Sequence, residues 1–241
     1  MNKEGIQSIK ILAIIPARSG SKRVKNKNIR ILRGKPLIAH TIEQTKKSKY
    51  IEKIVVSTDG IEIAKIAQKW GASVIMRPKA ISDDNSTEYE YYDHVLRTLK
   101  EKENYEPDLI VNLYPTSPFR KAETIDKAIK RLLAHPEADC LRSVRKCSEH
   151  PYKMWKMVGE FLEPFVPSKN NNLHTFSTQL FPEVYIQNAN IYIIRSEAFY
   201  KNNATIGNNI LSFVMSNEES MDINTESDFL MAEILLSEKK K

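Results

Sequence analysis

Short apolar runs alternate with amphipathic stretches along most of the chain. Residues 9–16 (IKILAIIP) are apolar on both parities and rich in β-branched side chains, the pattern of a strand buried on both faces. The same reading predicts short buried strands over 54–57, 73–76, 109–113 and 140–144. Between them, 36–47, 61–70, 87–100 and 122–133 carry apolar positions at helical spacing, and Gly71 stands where a helix C-cap belongs. This alternation predicts an α/β fold with a mostly parallel sheet and helices on both faces. From 150 to 187, prolines 151, 164, 167 and 182 and the asparagines at 170–172 break the periodicity. That stretch reads as an inserted arm within one domain, not as a domain of its own. A strand pattern resumes over 184–195, a short strand is expected at 213–215, and 225–236 reads as the closing helix. The lysines at 239–241 read as a frayed end.

Composition narrows the class. With 241 residues, 41% hydrophobic and 28% charged, the chain is long enough for a substantial core and has nothing fibrous or low-complexity about it. Cys140 and Cys147 match no CxxC or zinc spacing and read as free thiols, which fits a reducing cytoplasm. The apolar run ILAIIP is too short for a signal-peptide core or a membrane span. A cytoplasmic protein is expected.

Charge adds more. The net charge is +7, yet residues 1–35 alone carry ten Lys/Arg against Glu4, an excess of nine, so the other 206 residues sum to −2. Much of the excess lies in Ala17-Arg18-Ser19-Gly20-Ser21-Lys22-Arg23-Val24-Lys25-Asn26-Lys27-Asn28, directly after the first predicted strand. Ligands of open α/β sheets bind at the carboxyl ends of strands, and hydroxyl, backbone and cationic donors together suit a phosphate-rich anion. A solvated basic loop or an RNA-contacting patch has the same composition. GxxxxGK[ST], GxGxxG and GxSxG are all absent, and the five histidines form no HExxH. P-loop, dinucleotide-binding, serine-hydrolase and zinc-enzyme classes therefore lack local support.

The run from Ile14 to Arg23 with Lys27-Asn28 resembles the signature of the acylneuraminate cytidylyltransferase (CMP-sialic acid synthetase) family. The likeness continues through Gly34-Lys35-Pro36-Leu37, Val56-Ser57-Thr58-Asp59, Arg77-Pro78 and Pro115-Thr116-Ser117-Pro118 with Arg120. Asn188-Ala189-Asn190-Ile191-Tyr192 lies where the family has N-G-A-I-Y, and Asp222-Ile223-Asn224-Thr225-Glu226-Ser227-Asp228 resembles D-I-D-T-E-x-D.

The resemblance implies a three-layer, Rossmann-like nucleotidyltransferase fold over residues 1–241, with an inserted dimerisation arm at about 146–187 and a homodimer. It implies cytidylyl transfer from CTP to the anomeric hydroxyl of a nonulosonic acid, sialic or legionaminic in type, with pyrophosphate leaving. Arg18, Lys22 and Lys27 are then the catalytic cations, and Ser21 and Asn28 join them on the phosphates. Arg77 reads the cytosine, with Ser86 near the base. Tyr114, Thr116, Gln187 and Asn188 belong to the sugar side. Mg²⁺ falls to Asp222, with Asn224 replacing the family's second aspartate. Asp222 and Asn224 also suit a plain helix-capping loop, and Asp59 suits a cap on the helix starting at Ile61. Where the best-known sialic acid synthetases carry carboxylate-binding arginines, this chain has Ile186 and Thr178, and Tyr114 replaces a common Gln. Arg142, Arg145 and Lys153 are the cations left for a substrate carboxylate. Tyr89, Tyr91 and Tyr92, interleaved with acids, read as core or subunit contacts and not as a base-stacking platform. A 3-deoxy-octulosonate cytidylyltransferase and a non-catalytic RNA-binding protein on the same fold are the alternatives. The first usually lacks the Lys-Asn pair. No nucleic acid or membrane partner is expected.

Overall fold

The computed structural model describes residues 9–167 and 172–238; Lys3, Asn170 and the end at 239–241 lie outside the described residues. The chain opens with β1 (Ile11–Pro16), then a small ribbon of β2 (Ile31–Leu32) and β3 (Lys35–Pro36) leading into α1 (Leu37–Lys47). Next come β4 (Lys53–Thr58), α2 (Ile61–Lys69), β5 (Ser73–Met76), α3 (Glu88–Glu103), β6 (Leu109–Leu113) and α4 (Ala122–Leu133). Then follow β7 (Cys140–Lys146), β8 (Trp155–Val158), β9 (Phe161–Pro164), β10 (Tyr185–Arg195), α5 (Ser196–Asn202), β11 (Ile210–Val214) and α6 (Glu226–Glu238).

Seven strands form one sheet in the order β11-β7-β10-β6-β1-β4-β5. β1 pairs in parallel with β4 and β6, while β10 runs antiparallel to both of its neighbours, so it is the one reversed strand. The chain moves from β1 to β4 and β5 on one side, then returns to β6 on the other. That reversal opens a crevice beside the end of β1.

The parity of β1 shows why the sheet has two covered faces. Ile11, Ala13 and Ile15 enter one apolar cluster with Ile38 and Ile42 of α1, Ile63 of α2 and Ile125 of α4. Leu12 and Ile14 enter the other with Tyr92, Val95 and Leu96 of α3 and Phe199 of α5. Tyr91 and Tyr92 are thus core residues, and Tyr89 stacks on Phe199 with ring centroids 5.1 Å apart. A third cluster joins Val24 to Leu32, Leu37, Phe119, Ile223 and Phe229. It packs α6 against the segment after β1. Gly71 (φ +90) ends α2 in a Schellman arrangement, with the Ala72 amide donating to the Ala67 carbonyl at 3.0 Å and the Gly71 amide to Gln68 at 2.9 Å.

Three features differ from the sequence expectation. α5 has seven residues, too few for a helical period to stand out. β11 begins at Ile210 and not at Phe213, because backbone pairing with Cys140 and Leu141 recruits residues before the apolar triplet. The arm contains the β8–β9 hairpin, turning at Gly159 (φ +62). Pro164 sits at the last position of this isolated ribbon, where it ends the pairing without breaking a central strand.

Candidate active site

The carboxyl ends of β1, β5 and β6 open into a cleft of about 590 Å³. Its cationic wall is the segment after β1, which the fold fastens at four points. The Ser19 amide and hydroxyl donate to the Asp59 carboxylate at 2.7 and 2.6 Å. Val24 is fully buried. Asn28 Nδ2 donates to the Arg18 carbonyl at 3.0 Å, closing the loop on itself. Lys27 Nζ donates to the Ile223 carbonyl at 2.7 Å, tying the loop to the segment before α6. The chain between these points needs Asn26 in the left-handed region (φ 54), which Asn tolerates better than most residues.

Electrostatics follow from these positions. Burial pushes the Lys27 ammonium below its ordinary value, and the nearby Asp222 opposes that shift. Asp84 accepts hydrogen bonds from Lys22 and, at 2.5 Å, from Arg18; these bonds hold its carboxyl below the usual range. Burial disfavours the Asp59 carboxylate, but the two bonds from Ser19, its own amide and the nearby Arg77 charge together hold the group below its ordinary value. Asp59 is therefore a latch on the basic loop. The expected cap on α2 is not found: Gly60 holds that position with no side-chain cap.

Across the cleft, Arg77 is buried, stacks over Tyr91 at 4.7 Å and donates to Ser57 through Nε at 3.2 Å and one terminal nitrogen at 3.0 Å. Ser86 Oγ donates to Asp83 at 3.0 Å and takes the Asp83 amide at 3.0 Å, so it shapes its own turn. The Tyr114 hydroxyl donates to Glu88, and burial holds its pKa far above the ordinary phenol value. The Thr116 carbonyl accepts from the Ile223 amide at 2.9 Å. Arg120 is buried behind this wall, donating to Asn190, Thr41 and the Tyr114 carbonyl. Burial lowers its pKa to about 9.

A second chamber, of about 730 Å³, adjoins the first, and Asn224 lines both. Gln187, Asn188, Asp222 and Arg145 line the second chamber. Asn188 is committed: its oxygen accepts from Ser143 at 2.6 Å and its amide donates to Ser220 at 2.8 Å. Asn224 Nδ2 donates to Asp222 Oδ2 at 2.7 Å, while Asp222 Oδ1 is buried and accepts no hydrogen bond from the described residues. Capping of α6 falls to other residues. The Asp228 carboxylate takes the Thr225 amide at 2.8 Å, and Thr225 Oγ1 accepts the Asp228 amide at 3.2 Å. Asp222 is thus left without a capping role.

The structure brings Arg18, Ser21, Lys22, Lys27, Asn28, Arg77, Ser86, Tyr114 and Thr116 to the first cleft. Gln187, Asn188 and Asp222 stand in the second chamber, with Asn224 at the junction. Sequence reasoning missed Asp84, Glu88 and the latching role of Asp59. Nothing local marks them, since their partners lie tens of residues away.

A family model described as cytidylyltransferase matches residues 12–230. The N-acylneuraminate cytidylyltransferase of Escherichia coli O18:K1:H7 is 32% identical over 236 residues, which is 96% of this chain but 53% of that protein. The CMP-N,N'-diacetyllegionaminic acid synthase of Legionella pneumophila is 34% identical, over 95% of this chain and 97% of that protein. A solved CMP:2-keto-3-deoxy-manno-octonic acid synthetase complexed with CTP superposes with a TM-score of 0.70 over 95% of this chain and 99% of that chain, at 18% identity, a likeness of fold. With a family match running from β1 into α6 and so across both chambers, the chain belongs to the cytidylyltransferase family.

Proposed function

We propose that the protein transfers the cytidylyl group of CTP to the anomeric hydroxyl of a nonulosonic acid of the sialic or legionaminic type. The observation that carries this reading is the pair of chambers meeting at Asn224, with Arg18, Lys22 and Lys27 lining one and the open Asp222 oxygen in the other. The names of the E. coli and Legionella relatives support the substrate class.

In the reaction the sugar hydroxyl oxygen bonds to the α-phosphorus, the bond from that phosphorus to the bridging oxygen breaks, and pyrophosphate leaves with the electron pair. The hydroxyl proton passes to solvent. Such a step needs alignment and charge neutralisation more than covalent chemistry. Arg18, Lys22 and Lys27 neutralise the triphosphate, with Ser21 and Asn28 as added polar contacts. Lys27 is the best placed of the three, since Ile223 fixes its ammonium beside Asp222. Arg77 and Ser86 face the nucleoside, and Tyr114, Thr116, Gln187 and Asn188 shape the sugar side.

Among the described residues no group of three or more His, Cys, Asp or Glu is placed to hold a metal. Mg²⁺ asks for less, commonly one or two protein carboxylates plus phosphates and water. The orphaned Asp222 Oδ1 fits that demand, with Asn224 beside it. When bound there, the ion would add positive charge to help neutralise the triphosphate.

We read residues 1–241 as one catalytic domain and the arm at about 146–187 as the homodimer contact. Met157 and Phe161 are each 77% exposed on the hairpin, with Leu162 and Phe165 also exposed. Among the described residues no helix is long and apolar enough to cross a membrane. We take the setting as the cytoplasm and the partners as small molecules, not nucleic acids.

Pyrophosphate release from CTP with Mg²⁺ and a panel of nonulosonic acids tests the reading. Release with at least one acid is expected, and loss of turnover in Lys22→Ala and Asp222→Ala variants. No release with any acid across several divalent metals would remove it.

A further inference from the structure

Asp222 and Asp228 line the second chamber, and an acid substrate brings another negative charge into it. Among the described lining residues the one cation is Arg145. We propose that Arg145 receives the substrate carboxylate and so selects sugar acids over neutral sugars. The inference rests on the reading of the chain as a nonulosonic acid cytidylyltransferase.

Arg145 is available for this work. Its hydrogen bond among the described residues is a long one, from one terminal nitrogen to the Lys146 carbonyl at 3.4 Å. The two other candidate cations are committed elsewhere. Arg142 lies three residues earlier on β7, so its side chain leaves the opposite face of the sheet. There it is buried, stacks on Tyr192 at 4.0 Å, donates to the Thr205 carbonyl at 2.7 Å and stands 3.6 Å from Glu88. Lys153 donates to the His174 and Phe176 carbonyls at 2.5 and 2.6 Å, within the arm.

Strand register adds a second argument. Arg145 on β7 pairs directly with Ile186 on β10. Directly opposed residues share a face, with Cβ atoms about 4.5–5.5 Å apart. Ser143 lies two residues before Arg145, on the same face, and binds Asn188 of the chamber wall. A guanidinium rooted at either member of the 145/186 pair therefore reaches the same space. A planar guanidinium also matches a carboxylate with two parallel hydrogen bonds, which an ammonium does not.

The test compares an acid sugar with its carboxamide, a neutral analogue of nearly the same shape. Wild-type protein should show a KM for the carboxamide roughly 10- to 100-fold above that for the acid, the range of a charge-assisted bidentate contact. Arg145→Ala should raise the KM of the acid by a similar factor and leave that of the carboxamide and of CTP unchanged. Arg145→Lys should fall between. Adding Ile186→Arg to Arg145→Ala should recover most of the acid's KM, an effect that repair of the fold alone does not give. Equal losses for acid and carboxamide, or none for the acid, overturn the proposal while wild-type turnover stands. If wild-type protein with CTP neither turns over nor binds any nonulosonic acid by calorimetry, the functional reading falls and takes this inference with it.

Discussion

Replacing Asp59 by Ala should weaken CTP binding without touching any group that meets the nucleotide. The carboxylate takes two short hydrogen bonds from Ser19, one from the amide and one from the hydroxyl. Hydrogen bonds to charged groups are worth about 1.5–3 kcal/mol when buried. Asp59 is half-buried, so solvent screening reduces the pair to about 2 kcal/mol. The lost energy appears as freedom of the Ser19–Lys22 stretch, whose cations must be ordered again when the triphosphate binds. If half or all of it is charged to binding, the KM for CTP rises roughly 5- to 30-fold. At saturating CTP the KM for the sugar should stay within about twofold.

Two controls isolate the latch. Ser19→Ala removes one donor and keeps the amide, so its effect should be smaller, and the cycle with Asp59→Ala should show about 1 kcal/mol of coupling. The pH dependence has a definite sign. Asp59 titrates below its ordinary value of 3.8 in the folded protein, so the latch is fully present above that value. It is lost as pH falls through the lower folded pKa. The Asp59→Ala effect on CTP should accordingly be flat from about pH 5 to 8. Steady-state pyrophosphate release and calorimetric CTP titration measure these quantities. An Asp59→Ala protein that melts at a lower temperature yet binds CTP like wild type would refute the reasoning, because the latch would then stabilise the fold without placing the cations.

Asp84→Asn should tighten CTP about 2- to 5-fold at low salt, with the gain shrinking as salt is added, because Asp84 competes with phosphate for Arg18 and Lys22; direct titration at two ionic strengths reads this. Ala189→Gly should raise stability by about 0.5–1 kcal/mol in thermal unfolding, since Ala189 sits at φ 46 where glycine carries no Cβ penalty. Met157→Asp with Phe161→Asp should leave a folded monomer by light scattering if the exposed hairpin is the dimer contact.

The core strands were legible because β1 is apolar on both parities, and a short β-branched run of that kind suits a strand covered on two faces. The reversed direction of β10 was not, since hydrophobic pattern carries no sign of strand direction. The basic segment was legible as chemistry because its cations are contiguous in sequence. Its fastening was not. Ser19 meets Asp59 across 40 residues, Arg18 meets Asp84 across 66, and Lys27 meets the Ile223 carbonyl across 196. No local period records such pairings. The motif before α6 was ambiguous for a different reason. Asp222, Thr225 and Asp228 are all competent caps, and only the hydrogen bonds show that Thr225 and Asp228 take that role. The replacement of the family's glycine by Ala189 was visible in sequence, but its cost appears only with the positive φ.

The excess of nine positive charges in residues 1–35 needs more than one explanation. Arg30 pairs with Glu226 at 2.5 Å and lies over the Phe229 ring at 4.1 Å, so it fastens α6 to the basic segment. Lys35 pairs with Glu43 of α1. These two cations are structural and largely neutralised. Arg18, Lys22, Arg23 and Lys27 line the cleft, and Asp84 is the carboxylate that pairs with two of them. A nucleic-acid surface would spread such charge along an exposed face to follow a phosphate backbone. Here four of the cations converge on one concavity at the end of β1, where Asp84 pairs with two of them. Six of the ten cations in residues 1–35 thus fall to one cleft and to the bonds around it. The salt dependence that separates the two cases is measurable. CTP binding should weaken with salt, by the slope of a few ion contacts, while duplex RNA should show no comparable affinity.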